Sequence, residues 1–212
     1  MICVLINKSY LNLNTSILGV NAEGKSLLSI EVLEDTQFLI DLEELSGISI
    51  DFLFNIPKVN SHVVGLYSLK DKQKLDTIIR SVHNVSDTSC LIDIKGVLND
   101  DSYSYHSGEI FIGKEAFNTE SYLNDHVLLL GAKSKTISMP NLRIHNNAVK
   151  ASHGASIGSL NSEKLYYLQS RGFNKKEAMD ILVTGFFEST FNAITDQNMA
   201  NSLRHKLLTA CI

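Results

Sequence analysis

The chain has 212 residues, 44% of them hydrophobic, with 19 Lys and Arg against 23 Asp and Glu. This supports one large or two small domains with a substantial core, and the net charge of −4 argues against a nucleic-acid-binding protein with its basic face. No apolar run approaches the roughly 20 residues of a membrane-spanning helix. The opening "MICVLINKSYLNLN" lacks the positive flank of a secretory signal, so a cytoplasmic location with no membrane partner is the expectation.

From the N-terminus, "SLLSIEVL" (26–33), "QFLIDLEEL" (37–45) and "GISIDFLF" (47–54) are rich in Ile, Leu, Val and Phe. Ile48, Ile50, Phe52 and Phe54 alternate with the period of a strand that buries one face. "KDKQKLDTIIRSV" (70–82) is the sole segment before residue 160 with helical character. "CLIDIKGVL" (90–98), "GEIFIGKEAF" (108–117), "HVLLLGA" (126–132) and "NLRIHNNAVKAS" (141–152) resume the strand texture. Interruptions such as "NAEG", "NDDS", "LND" and "HNN" make the strands short and evenly spaced. Helices do not alternate regularly with strands, which disfavours a doubly wound α/β fold. No strict repeat period is visible, so a sandwich, a barrel and a stacked solenoid all stay open.

The texture changes near residue 160. Asn161 is a good N-cap for a helix whose apolar face carries Leu165 and Leu168 and whose stop is Gly172. Asn174 and Glu177 form a capping pair for a second helix, with Ala178, Ile181, Leu182, Phe187, Phe191 and Ile194 at helical spacing. "DQNMANSLRHKLL" (196–208) makes a third, begun by Asp196. The chain thus divides into a β body over 1–159 and a small helical unit over 160–212.

Catalytic signatures are missing: no G-x-G-x-x-G opening a helix, no phosphate loop, no H-E-x-x-H and no G-x-S-x-G. Cys3, Cys90 and Cys211 lie far apart without a C-x-x-C pair, against a disulfide framework or a self-contained zinc site. Each reads as a small buried hydrophobe rather than a ligand, except Cys211, which reads as an exposed thiol. "SYSYHSGE" (102–109) fits either a sugar-binding groove or a strand with an outward tyrosine pair. Among the histidines, His62, His126, His145 and His205 lack partners at metal spacing, and His83 is placed to point into a cleft from a strand end. His153 sits in "VKASHGASIG" (149–158), where small neighbours let another chain approach the imidazole, a good borderline ligand for iron or zinc. A structural histidine is the competing reading.

The longer register from Met139 to Phe187 resembles the C-terminal signature of the SufB/SufD family of iron–sulfur cluster assembly proteins. The matching residues are Pro140, Leu142, Ile144, Val149, His153, Leu165, Tyr167, Leu168, Ser170, Arg171 and Gly172, with a small-residue turn after the histidine. Upstream, "HSGEIFIGKEAFNTESYLNDHVLLL" (106–130) is similar to a further family region, and "SHGA" resembles the SufD branch. The resemblance implies a mainly β fold, a right-handed parallel β-helix followed by a small C-terminal α-helical domain, in a short form without the family's N-terminal helical domain.

It also implies a role: a non-catalytic scaffold subunit that pairs through its β-helix with a SufB-like chain or a second copy of itself. Its C-terminal helices would bind a SufC-like ABC ATPase, with Arg171, Phe186 and Phe187 as docking residues. His153, supported by Ser152 and Gly154, would ligate iron or a transient iron–sulfur cluster shared with the partner chain, and the isolated chain would hold none. Members of this branch often carry cysteine where this chain has Ala151. A β-solenoid interaction module that has lost cluster chemistry is therefore an alternative, and a carbohydrate-active β-helix enzyme is another.

Overall fold

The computed structural model describes residues 2–6, 17–20 and 24–211. Twelve strands are present among them: β1 (Ile2–Ile6), β2 (Ile17–Val20), β3 (Ser26–Glu31), β4 (Thr36–Asp41), β5 (Ile48–Phe54), β6 (Asn60–Leu69), β7 (Lys74–His83), β8 (Ser89–Leu98), β9 (Tyr103–Ile112), β10 (Thr119–Leu129), β11 (Lys135–Ile144) and β12 (Val149–Ser159). From β4 onward, successive strands alternate between two six-stranded sheets, ordered β1-β4-β6-β8-β10-β12 and β11-β9-β7-β5-β3-β2. All described ladders are parallel except β2 with β3. The result is a parallel β-solenoid of about four turns, the stacked architecture among the three that the strand texture left open.

The repeat resides in the corners. Many hydrogen-bonded pairs on adjacent turns are 29 to 31 residues apart, as in Ser89 with Asn60, Lys150 with Glu120, and Asn118 with Asp87. Lys58, Asp87 and Asn118 take left-handed backbone angles at one corner, and Asp71 and Asp100 at the other. Asp and Asn tolerate that region better than other side chains because their short polar groups bond locally.

Three sequence expectations change. Residues 74–83 form strand β7 rather than a helix, because Leu75, Thr77, Ile79, Ser81 and His83 all point inward and are buried with period two. The strands from β6 onward are 10 or 11 residues long, not short. "NLRIHNNAVKAS" divides between β11 and β12, and the small residues after His153 continue β12 instead of turning.

The interior is apolar at the β4–β5 end, where Phe38 and Phe52 meet at 4.8 Å, and increasingly polar toward β10 and β11. Gly96 is required by close approach: a Cβ there would lie 2.0 Å from Cζ of the buried Tyr67. Cys90 is buried in the interior, which raises its thiol pKa; Cys3 is half-buried, and the Cys211 side chain lies outside the described residues.

Three helices follow: α1 (Ser162–Ser170), α2 (Lys175–Ala193) and α3 (Gln197–Cys211). The expected caps are present. Asn161 accepts from Lys164 N, Asn174 and Glu177 form a reciprocal capping box, and Asp196 accepts from Asn198 N and Met199 N. Gly172 ends α1 with φ of 100°. Among the described residues no helix is long and apolar enough to cross a membrane.

Helices α2 and α3 lie on the outer face of the β4-β6-β8 sheet, where Val183, Phe187, Phe191 and Leu203 form one cluster with Leu39, Val64, Leu66 and Val97. A polar latch reinforces this seam. The Gln37 amide donates to Ala193 O at 2.9 Å and lies 2.9 Å from His62 Nδ1, while its oxygen accepts from Thr195 N at 2.8 Å. His62 in turn meets Asp93 at 2.9 Å. Burial would raise the Asp93 carboxyl, but hydrogen bonds from His62 and Asn124 override it and hold its pKa low. Gln37→Leu strands buried partners on both sides of the seam. We expect a loss of about 1–3 kcal/mol in denaturant unfolding, with faster amide exchange around residues 193–195.

Candidate partner-facing site at the open end of the solenoid

β11 and β12 are the terminal strands of their sheets, pairing only with β9 and β10 respectively. Their other edges present backbone N–H and C=O groups with no ladder partner among the described residues. Such an edge is a ready template for another strand.

Strand register fixes which side chains stand at this end. Val63, Ile92, Leu123 and His153 occupy one inward column, so three aliphatic side chains in successive turns are followed by an imidazole in the last. Buried counterparts lie beneath, but His153 itself is exposed. Around it, Leu142, Ile144 and Ile157 occupy inward positions and are 38%, 39% and 49% exposed. These residues would form the next layer of the core if another turn covered them.

The remainder of β12 is unusually small: Ala151, Ser152, Gly154, Ala155, Ser156, Gly158 and Ser159. At the two glycines the chain's own packing leaves room for a side chain. A Cβ on Gly154 would meet only Asn124 Oδ1, at an ordinary 3.8 Å, and one on Gly158 would meet nothing within 4 Å. Ser152 and Gly154 point to the outer face, opposite in sense to His153.

The candidate docking residues belong to the helical unit. Arg171 is exposed after α1, with its guanidinium 5.1 Å from the Tyr167 ring centre. Phe186 is half-buried under Lys95, whose ammonium donates to Phe186 O and Ser189 Oγ. Phe187 is fully buried in the helix–sheet cluster. An apolar groove lined by Leu128, Leu160, Ile181, Leu182 and Phe186 joins the outer face of β10 to α2.

The other candidates divide between the interior and the outer surface. His83 is buried, stacked on Phe54 at 4.3 Å and bonded to Thr88; desolvation pushes its pKa down to about 3, so it is a neutral core residue. Tyr103 and Tyr105 face outward from β9 while His106 points inward, as alternation on one strand demands. His126 bonds Ser156, and His145 packs against the Phe111 ring. The apolar residues of the open end, and the buried pair of His106 with Asp125, escape a reading of the sequence by local motifs. Their alternation along β9 to β12 is the signal that identifies them.

Residues 42–186, most of the solenoid with the start of the helices, match the family model described as the SUF system FeS cluster assembly, SufBD core domain. The chain belongs to the SufBD family. Its curated relatives include the iron–sulfur cluster assembly protein SufD of Escherichia coli, 29% identical over 105 residues that make up 50% of this chain and 25% of SufD. A SufBD family protein of Mycobacterium leprae is 29% identical over 175 residues, 79% of this chain and 44% of the relative. One from Porphyra purpurea is 28% identical over 122 residues, 58% of this chain and 25% of the relative. The chain therefore spans under half the length of these three relatives.

Proposed function

We propose that this chain is a non-catalytic scaffold subunit of an iron–sulfur cluster assembly complex, SufD-like in type. Its open end joins the solenoid of a SufB-like chain or of a second copy. The observation that carries this reading is the last rung itself: two unpaired strand edges, exposed core-type side chains, and two glycines on β12 whose side-chain space the chain's own packing leaves open. A second solenoid end satisfies all three at once, because its strands complete the ladders and its backbone approaches closely over β12.

In this arrangement His153 is one ligand of a cluster or iron carried as cargo at the junction. The ligand set in this reading is shared between the two chains. Imidazole in place of thiolate makes such a site more labile, which suits transfer. The helical unit, through Arg171, Phe186 and the groove beside it, is the proposed contact for a SufC-like ABC ATPase. Ala151 supports the competing reading of an interaction module without cluster chemistry. It ends the inward column of Ser61, Cys90 and Ser121 without a thiol at the junction.

Leu142→Asp and Ile157→Asp test the pairing. Each puts a carboxylate where the partner's core would close, and each should abolish co-purification with a SufB-like chain, or self-association, while circular dichroism and melting temperature stay near wild type. Undiminished assembly of both variants refutes the proposed interface.

A further inference from the structure

Inside the last two turns lies a polar layer that the proposed scaffold role leaves unused. Thr77, His106 and Ser138 succeed one another in one inward column, on β7, β9 and β11. Asp125 faces them across the interior from β10, in a column that ends at the open rung in Ala155. His106 Nδ1 lies 3.1 Å from Asp125 Oδ2, and the Ser138 hydroxyl donates to the same oxygen.

Thr77, His106 and Asp125 are each 1% exposed, yet Thr77 Oγ1, His106 Nε2 and Asp125 Oδ1 have no hydrogen-bond partner among the described residues. Buried polar atoms are satisfied as a rule, by protein or by internal water. Thr77 Oγ1 and His106 Nε2, on residues paired across adjacent strands, therefore point to a bound water that both donates and accepts hydrogen bonds. Ser138, half-buried on the terminal strand, connects the layer to the open end.

We propose that His106 and Asp125 form a buried, hydrated acid–base pair that exchanges protons with the open end of the solenoid through Ser138. The Asp125 carboxylate takes the Nδ1 proton of His106 as a hydrogen bond, which fixes the ring and leaves Nε2 turned to water held with Thr77. A proton arriving at the open end passes along the Ser138 hydroxyl to the pair, and one released by the pair returns the same way. The other titratable groups of the interior here are Tyr67, bonded to Ser104, the stacked His83, and the buried thiol of Cys90, paired in register with Ser121. None of the three is hydrogen-bonded to Asp125 or His106.

The test uses the whole chain, free of partners, and so is independent of the scaffold reading. Two measurements are made: oxygen-17 relaxation dispersion, which counts long-lived internal waters, and solvent exchange of the His106 ring N–H in nitrogen-15-labelled protein. Thr77→Val should lower the water count; Thr77→Ala replaces it if the valine variant does not fold. Ser138→Ala should slow the ring-proton exchange about tenfold relative to wild type, as expected when the route rather than global opening sets the rate. Ser81→Ala, a buried hydroxyl in another column, should leave both unchanged. An unaltered water count in the Thr77 variant overturns the hydrated site. Exchange in Ser138→Ala equal to that in Ser81→Ala, or faster, overturns the route.

Discussion

Replacing His153 with alanine is expected to abolish cluster formation when the chain is co-produced with its partners, leaving its own fold and the assembled complex intact. His153 is exposed on a terminal strand, and its ring fills none of the chain's interior. Truncation therefore falls among surface substitutions, within about 0.5 kcal/mol of neutral. In the proposed role the effect is larger, because removing one ligand leaves a metal under-coordinated. Iron content and visible absorbance of the purified complex are the readouts. Wild-type cluster yield in the His153→Ala complex removes this residue from the chemistry and favours the interaction-module reading. His153→Cys adds a sharper comparison: a retained but more slowly released cluster is the expected result if ligand lability is what the imidazole provides.

The largest stability effect is expected for Phe187→Ala. Phe187 is wholly buried, its ring 5.8 Å from that of Phe191 and 5.2 Å from that of Phe186, in the cluster that fixes α2 and α3 to the outer face of the sheet. Removing a buried phenyl ring leaves a cavity that packed neighbours fill only in part, at about 3–5 kcal/mol. The solenoid has a separate interior cluster built from other residues. The loss should therefore appear first as released helices, with a decrease in ellipticity at 222 nm preceding solenoid unfolding. A single unchanged transition would contradict it. Phe186→Ala, on a half-buried ring, should cost less stability and serves to test ATPase binding without collapse of the seam.

The helical unit was legible because its signals are local: Asn161, Asn174 with Glu177, Asp196 and Gly172 each act within one helical turn. The strand texture was legible for the same reason, since alternation is a property of neighbours. The solenoid period was not, because it lies in corner residues such as Asp71 and Asp100 whose left-handed backbone has no single sequence code. Residues 74–83 misled because Leu75, Ile78, Ile79 and Val82 imitate a helical stripe, while the inward strand face uses Thr77 and Ser81 as small fillers. His153 stood out through the register of the residues on either side of it. The contact of His106 with Asp125 spans two sheets, and nothing in either residue's neighbours announces the other.

Each turn of this solenoid supplies the surface on which the next is laid down, so its terminal rung behaves like the growing end of a polymer. Under the proposed pairing, a partner seated there is a chain terminator: it ends the stack and is bound by the same act.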